Sequence, residues 1–269
     1  MPRDLMTPTA QDPDAGRPVL VVGHPGHELR VYGWMMTSHP VVHVLTDGSG
    51  SDRQPRIAST TTLLDTVGAT EGSIYGRMSD REIYGAILDG DHGRFIALAE
   101  ELAATLISNN VSVVAGDAVE GFNPSHDVCR YVINAAVRLA AATGHAIACY
   151  DFPLDGPPDA GGDARRGALR VDLTDEMLTQ KLEAAYAYAE LRGEVESALQ
   201  RVGSAPFRTE WLFPVDLADP YGRNPDETPY YEVYGAQRVG AGAYAHLVTF
   251  REHVRPLAEA LWCHRAVSA

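Results

Sequence analysis

Val19-Leu20-Val21-Val22-Gly23-His24-Pro25-Gly26-His27-Glu28 is an apolar run that ends in two imidazoles and a carboxylate. The run reads as a buried strand and Gly-His-Pro-Gly as the turn that ends it. Ligands of open α/β sheets bind at the carboxyl ends of strands, so chemistry is expected at this turn. A second segment has the same plan: Val111 to Ala115 is apolar, and Asn123-Pro124-Ser125-His126-Asp127 follows.

Outward from the first strand, Glu28–Thr37 reads as a helix and Pro40–Leu45 as the next strand, which ends in the polar loop Thr46–Asp52. Arg56–Val67 reads as a helix stopped by Gly68. Gly93–Ser108 carries Phe95, Leu98, Ala99, Leu102 and Leu106 on one helical face. Ser125 is the expected cap of a helix from His126 to Ala142, and Ala146–Tyr150 is the next strand. Asp155–Gly167 has the composition of a mobile loop. Thr174 opens the longest expected helix, to about Val202, and Val215–Tyr234 reads as a long polar, aromatic loop. Strands alternating with helices predict a single α/β domain with a Rossmann-like, mainly parallel sheet and helices on both faces. Residues 1–17 read as a flexible tail, 18–269 as the domain, with the part from about 170 covering the site.

The chain has 269 residues, 45% of them hydrophobic, and a formal net charge of −14. No basic stripe interleaved with aromatics appears, so nucleic acid is not an expected partner, nor is an anionic membrane. No segment approaches the ~18 apolar residues of a membrane span. Three cysteines, Cys129, Cys149 and Cys263, in no CxxC pair, argue for a reducing compartment. The expectation is a cytoplasmic protein acting on a small molecule.

A hydrolytic zinc uses about three protein ligands and an open position for water. His24, His27 and His126 supply three nitrogens at neighbouring strand ends. A lone histidine at a turn is ordinarily a surface or hydrogen-bonded residue; three at strand ends favour a metal. A shell of His24, Glu28 and His126 would instead suit Fe(II), and the residues alone leave both shells open. No G-x-G-x-x-G, Gly-x-Ser-x-Gly or cysteine-nucleophile motif competes.

At these residues the chain resembles the PIG-L/LmbE-like de-N-acetylase superfamily, which carries His-Pro-Asp-Asp-Glu after its first strand and His-Pro-Asp-His later. His24-Pro25-Gly26-His27-Glu28 falls on the first motif and Asn123-Pro124-Ser125-His126 on the second. The resemblance runs from about Pro18 to Leu139. It implies a divalent metal, zinc or iron, held by His24, His27 and His126, with imidazole replacing one carboxylate ligand. It also implies a sugar-conjugate substrate, with Arg56 contacting its hydroxyls. The family's general base falls on Gly26, which has no side chain, and the opening His of its second motif falls on Asn123. Substitute proton carriers are Glu28, then Asp127, then Glu120. Asn123 can donate to an oxyanion, and Asp47 and Asp80 are further polar candidates for substrate contact. The expected function is metal-dependent hydrolysis of an N-acyl amino sugar. The alternatives are a metal- or sugar-binding homologue that has lost hydrolysis, or different metal chemistry on the same scaffold.

Overall fold

The computed structural model describes residues 16–50, 54–157 and 165–265. β1 (Val19–Val22) leads through a 3-10 turn (His27–Val31) to α1 (Tyr32–Ser38), β2 (Val41–Thr46), α2 (Ile57–Val67) and β3 (Thr70–Met78). α3 (Asp80–Leu88), α4 (His92–Ser108), β4 (Val113–Asp117), α5 (Pro124–Ala142) and β5 (Ala148–Phe152) follow. The rest is β6 (Leu169–Asp172), α6 (Asp175–Ala187), α7 (Arg192–Val202), β7 (Thr209–Pro214), α8 (Tyr230–Gly240) and α9 (Arg255–Cys263). The strands form one sheet in the order β3-β2-β1-β4-β5-β7-β6. The first five are parallel, and β7 runs antiparallel to both β5 and β6. The mainly parallel α/β architecture is the one the sequence predicts.

β1 shows why its sequence is apolar without a break. Val19 and Val21 pack into one layer with Leu102 of α4, Val132 of α5 and Leu257 of α9. Leu20 and Val22 pack into the other with Met35 of α1 and Leu64 of α2. A strand covered on both faces has no polar side to alternate with. β1 also sits where the strand order reverses, with β2 on one side and β4 on the other. The loops leaving β1 and β4 therefore diverge and open a crevice at their carboxyl ends.

Several elements differ from expectation. The helix expected from Thr174 to Val202 is two helices joined by a 3-10 turn, Ala189–Leu191. The break falls at Tyr188, whose buried ring sends its hydroxyl to Thr60 Oγ1 at 2.8 Å. Thr174 does cap α6, accepting the Met177 N–H. The N-cap of α5 is Asn123 rather than Ser125, because Pro124 takes the first helical position, where its missing N–H costs nothing. The loop read from Val215 ends at Tyr230, where α8 begins. Of the expected tail, residues 1–15 lie outside the described residues. Gly16 bridges to Val111, and Arg17 donates to the His39 and Pro40 carbonyls and to Thr70, so the chain is already pinned there. Of the loop Asp155–Gly167, residues 158–164 lie outside the described residues.

Two buried ionic clips hold the layers. Lys181 of α6, the only lysine in the chain, lies 2.8 Å from Glu210 of β7. Glu210 also accepts the Gly33 and Trp34 N–H groups at 2.8 and 2.9 Å, the orphan amides in the first turn of α1. Arg130 of α5 donates to the Asp117 carbonyl at 2.5 Å and the Tyr150 carbonyl at 3.0 Å, tying β4 to β5.

His43 in β2 gives the fold an acid-sensitive point. Its Nδ1 accepts the Ile74 N–H at 3.2 Å, and its buried Nε2 has no protein partner. Burial lowers its pKa from 6.5 to about 4. The unfolded chain takes up this proton as pH falls below 6.5, whereas the folded chain resists until about 4. The neutral ring is thus fully tolerated above 6.5, and roughly 3 kcal/mol of stability is lost as pH drops to 4. Urea melts between pH 7 and 4 check this: His43→Leu should flatten the acid-side slope.

Candidate active site

The crevice holds the three histidines singled out in the sequence. His24 and His27 come from the turn after β1, and His126 from the first turn of α5. Their ring centroids lie 5.3 Å (His24–His27), 5.0 Å (His24–His126) and 4.4 Å (His27–His126) apart. Residues about 100 positions apart thus converge at the rim of the sheet. Burial, first of all, lowers the pKa of His24 and takes that of His126 well below its ordinary value, with the neighbouring imidazoles adding to the effect. Both rings are neutral and keep a lone pair.

His24 and His27 are set by polar partners from other elements. Asp117, at the end of β4, accepts from His27 Nδ1 and from the Gly23 N–H, each at 2.8 Å. His24 is held from both edges, with Nε2 2.7 Å from Ser125 Oγ and Nδ1 2.7 Å from Thr46 Oγ1 and 2.9 Å from Asp80 Oδ1. Asn123 Oδ1 accepts the Ser125 N–H, the Ser125 hydroxyl at 2.7 Å and the Tyr84 hydroxyl at 2.9 Å. A carboxylate can only accept, so neutral His24 donates its Nδ1–H to Asp80 and turns the lone pair of Nε2 toward the Ser125 hydroxyl.

Burial raises the pKa of Asp80, but the His24 contact, Thr46 and the Gly50 N–H outweigh burial and hold it below the usual carboxylate range. His126 Nδ1 is buried with no protein partner. Three imidazoles, a facing carboxylate and an orphaned ring nitrogen are donor chemistry that suits a divalent metal. The side chains do not stand as a finished shell. Among the described residues no three His, Cys, Asp or Glu groups are disposed to hold a metal ion, because the ring nitrogens are turned to the hydrogen bonds above.

The acids named from the sequence stand elsewhere, with Asp80 the exception. Glu28 is fully buried beneath the turn, where Oε2 accepts the Gly26 N–H at 2.7 Å and burial raises its pKa. Asp127 accepts the Glu120 and Gly121 N–H groups, each at 3.1 Å, and burial raises it to about 7. Glu120 accepts the Leu154 and Asp155 N–H groups and so holds the loop after β5. All three carboxylates shape loops around the crevice. Arg56 donates to the Gly48 carbonyl at 2.6 Å and Asp47 accepts the Ser49 N–H at 2.9 Å; both order the loop after β2, beside Pro25. Gly26 has φ +104°, and a Cβ built on it would lie 2.3 Å from Leu191 Cδ1. The space the family's base would enter is taken by a leucine from the turn between α6 and α7.

No protein-family profile and no curated protein matches the chain. Solved structures share its fold. The A40926 pseudoaglycone deacetylase Dbv21 matches with a TM-score of 0.50 over 78% of this chain and 99% of its own, at 17% identity. A deacetylase of the teicoplanin biosynthetic pathway matches with a TM-score of 0.50 over 74% of this chain and 99% of its own, at 14% identity. The chain is therefore an α/β protein built on the scaffold of these deacetylases. The resemblance read from its two motifs holds at the level of fold.

Proposed function

We propose that the chain is a metal-dependent hydrolase that removes an acyl group from the nitrogen of a sugar conjugate. The observation that carries this reading is the convergence of three imidazoles, His24, His27 and His126, at the switch point of a deacetylase scaffold. A divalent metal bound there, zinc or iron, would polarise the acyl carbonyl and acidify water. The residues do the rest. Asp117 and Ser125 orient His27 and His24. Asn123, whose Oδ1 is fully occupied, turns its amide N–H groups to the oxyanion of the tetrahedral intermediate. Asp80, with its side chain 13% exposed and facing His24, is the carboxylate placed to accept the proton of the attacking water. It takes the part first given to Glu28, which is fully buried beneath the turn.

A non-hydrolytic sugar-binding protein is the competing reading, favoured by Leu191 standing beside Gly26. Purified protein should carry about one divalent metal per chain by elemental analysis and release acetate from N-acetylated amino sugars or glycoconjugates, with both lost after chelation. Full metal content without release from any compound would favour the competing reading. Asp80→Asn should lower turnover about 10²–10⁴-fold while metal content stays intact. A fall in metal content instead would make Asp80 a support for His24 only.

A further inference from the structure

Beside the histidine cluster the surface carries a strip of aromatic rings. Phe122, in the loop before Asn123, lies nearly parallel to Tyr230 of α8, with centroids 5.2 Å apart and planes at 10°. Tyr230 is followed by Tyr234 one helical turn on, at 6.0 Å and 22°. The Arg238 guanidinium, one further turn along, lies 6.0 Å from the Tyr234 ring centre and 5.5 Å from that of Tyr244. Phe122, Tyr230, Tyr234 and Tyr244 are 45%, 52%, 42% and 46% exposed. The other side of α8 is anchored: Tyr231 is buried and donates its N–H to the Gly121 carbonyl, and a Cβ on Gly235 would lie 2.7 Å from Leu247. The strip is therefore a held surface.

Half-buried aromatic rings in a row forgo part of the stabilisation that full burial would supply, and contiguous exposed apolar surface marks a binding site. Parallel rings with centroids beyond face-to-face distance are offset sideways like steps, so each leaves part of a face open. The step of 5 to 6 Å is close to the distance from one pyranose to the next along a saccharide chain, and the C–H faces of pyranoses pack on such rings. The tyrosine hydroxyls and Arg238 line the strip with donors for sugar hydroxyls. A net charge of −14 disfavours an anionic lipid surface. One end of the strip is Phe122, the residue before Asn123, whose amide is turned to the reacting acyl group in the function proposed above.

We infer that Phe122, Tyr230, Tyr234 and Tyr244 form a platform for an extended saccharide, so that the substrate is an oligosaccharide or glycan conjugate of about three or more units rather than a single amino sugar. The inference rests on the sugar reading of the site but not on hydrolysis. It is tested on the whole protein by titrating gluco-, manno- and chito-oligosaccharides of one to five units, followed by saturation-transfer NMR and calorimetry. Affinity should rise with length to three or four units in at least one series. Tyr230→Ala/Tyr234→Ala, at exposed helix positions, should weaken the longest ligand about 10-fold, equivalent to about 1.4 kcal/mol. No length dependence in any series, or wild-type affinity in the double variant, overturns the inference. So does binding to phosphatidylcholine vesicles that the same two substitutions abolish, which would assign the strip to lipid. Length-dependent binding without acetate release would keep the platform and remove the hydrolase. Acetate release indifferent to length would do the reverse.

Discussion

A His24→Ala protein is expected to fold, to purify without bound metal and to release acetate no faster than buffer. His24 is the ring on which the site's polar contacts meet: Thr46, Asp80 and Ser125 all hydrogen-bond to it, and both other imidazoles lie within 5.3 Å of ring centroid. Taking the ring away leaves Asp80 without its N–H donor and the Ser125 hydroxyl without the nitrogen it faces. Unpairing buried polar groups costs about 1–3 kcal/mol each, so the midpoint of unfolding should fall as well, and circular dichroism must accompany the assay. Unchanged metal content in this variant would end the case for the histidine cluster. Ser125→Ala is the milder companion. It removes only the hydroxyl that faces His24 Nε2, and outer partners of metal-bound histidines typically account for about 10–100-fold in affinity or activity.

The second expectation concerns the position where the superfamily whose motif this turn resembles keeps its base. Placing a carboxylate there with Gly26→Asp should yield a destabilised protein, not a faster one. The backbone there has φ +104°, where an L-residue is strained by about 1–3 kcal/mol. Its first side-chain atom would also strike Leu191 at 2.3 Å. Overpacking adds about 1–3 kcal/mol, so a total loss of roughly 2–6 kcal/mol is expected in denaturant melts. The Leu191→Ala background should recover part of it, because the steric component vanishes and the backbone strain remains. Additivity of the two substitutions would show that Leu191 and residue 26 do not meet.

How much of this was legible in the sequence depended on whether a signal was local. β1 and its turn could be read because a strand buried on both faces must be apolar throughout, and the turn is punctuated by Gly23, Pro25 and Gly26. The three histidines could be placed at one rim because strand ends in a parallel sheet share an edge. β3 carried no such mark. Thr70–Met78 is an edge strand with most of its side chains at least partly exposed, so no run or alternation stands out. The break at Tyr188 was hidden among good helix formers, since a distant hydroxyl bond to Thr60 and a buried ring, not a proline or glycine, stop α6 there. Glu210 carries no local sign of its partners, which are α1 and Lys181. Thr46, Asp117 and Ser125 support the cluster from three separate elements, and no spacing rule links them to His24. The acids beside the histidines were conspicuous through proximity in sequence, yet Glu28 and Asp127 satisfy backbone amides. The carboxylate that does meet His24, Asp80, is 56 residues further on.

The pairing of Lys181 with Glu210 has a practical corollary. The folded chain offers amine-directed reagents no side-chain ammonium at its surface, because its single lysine is 4% exposed between α6 and β7. Acylation of Lys181 should therefore track the opening of that seam, giving a one-site chemical clock for native-state excursions.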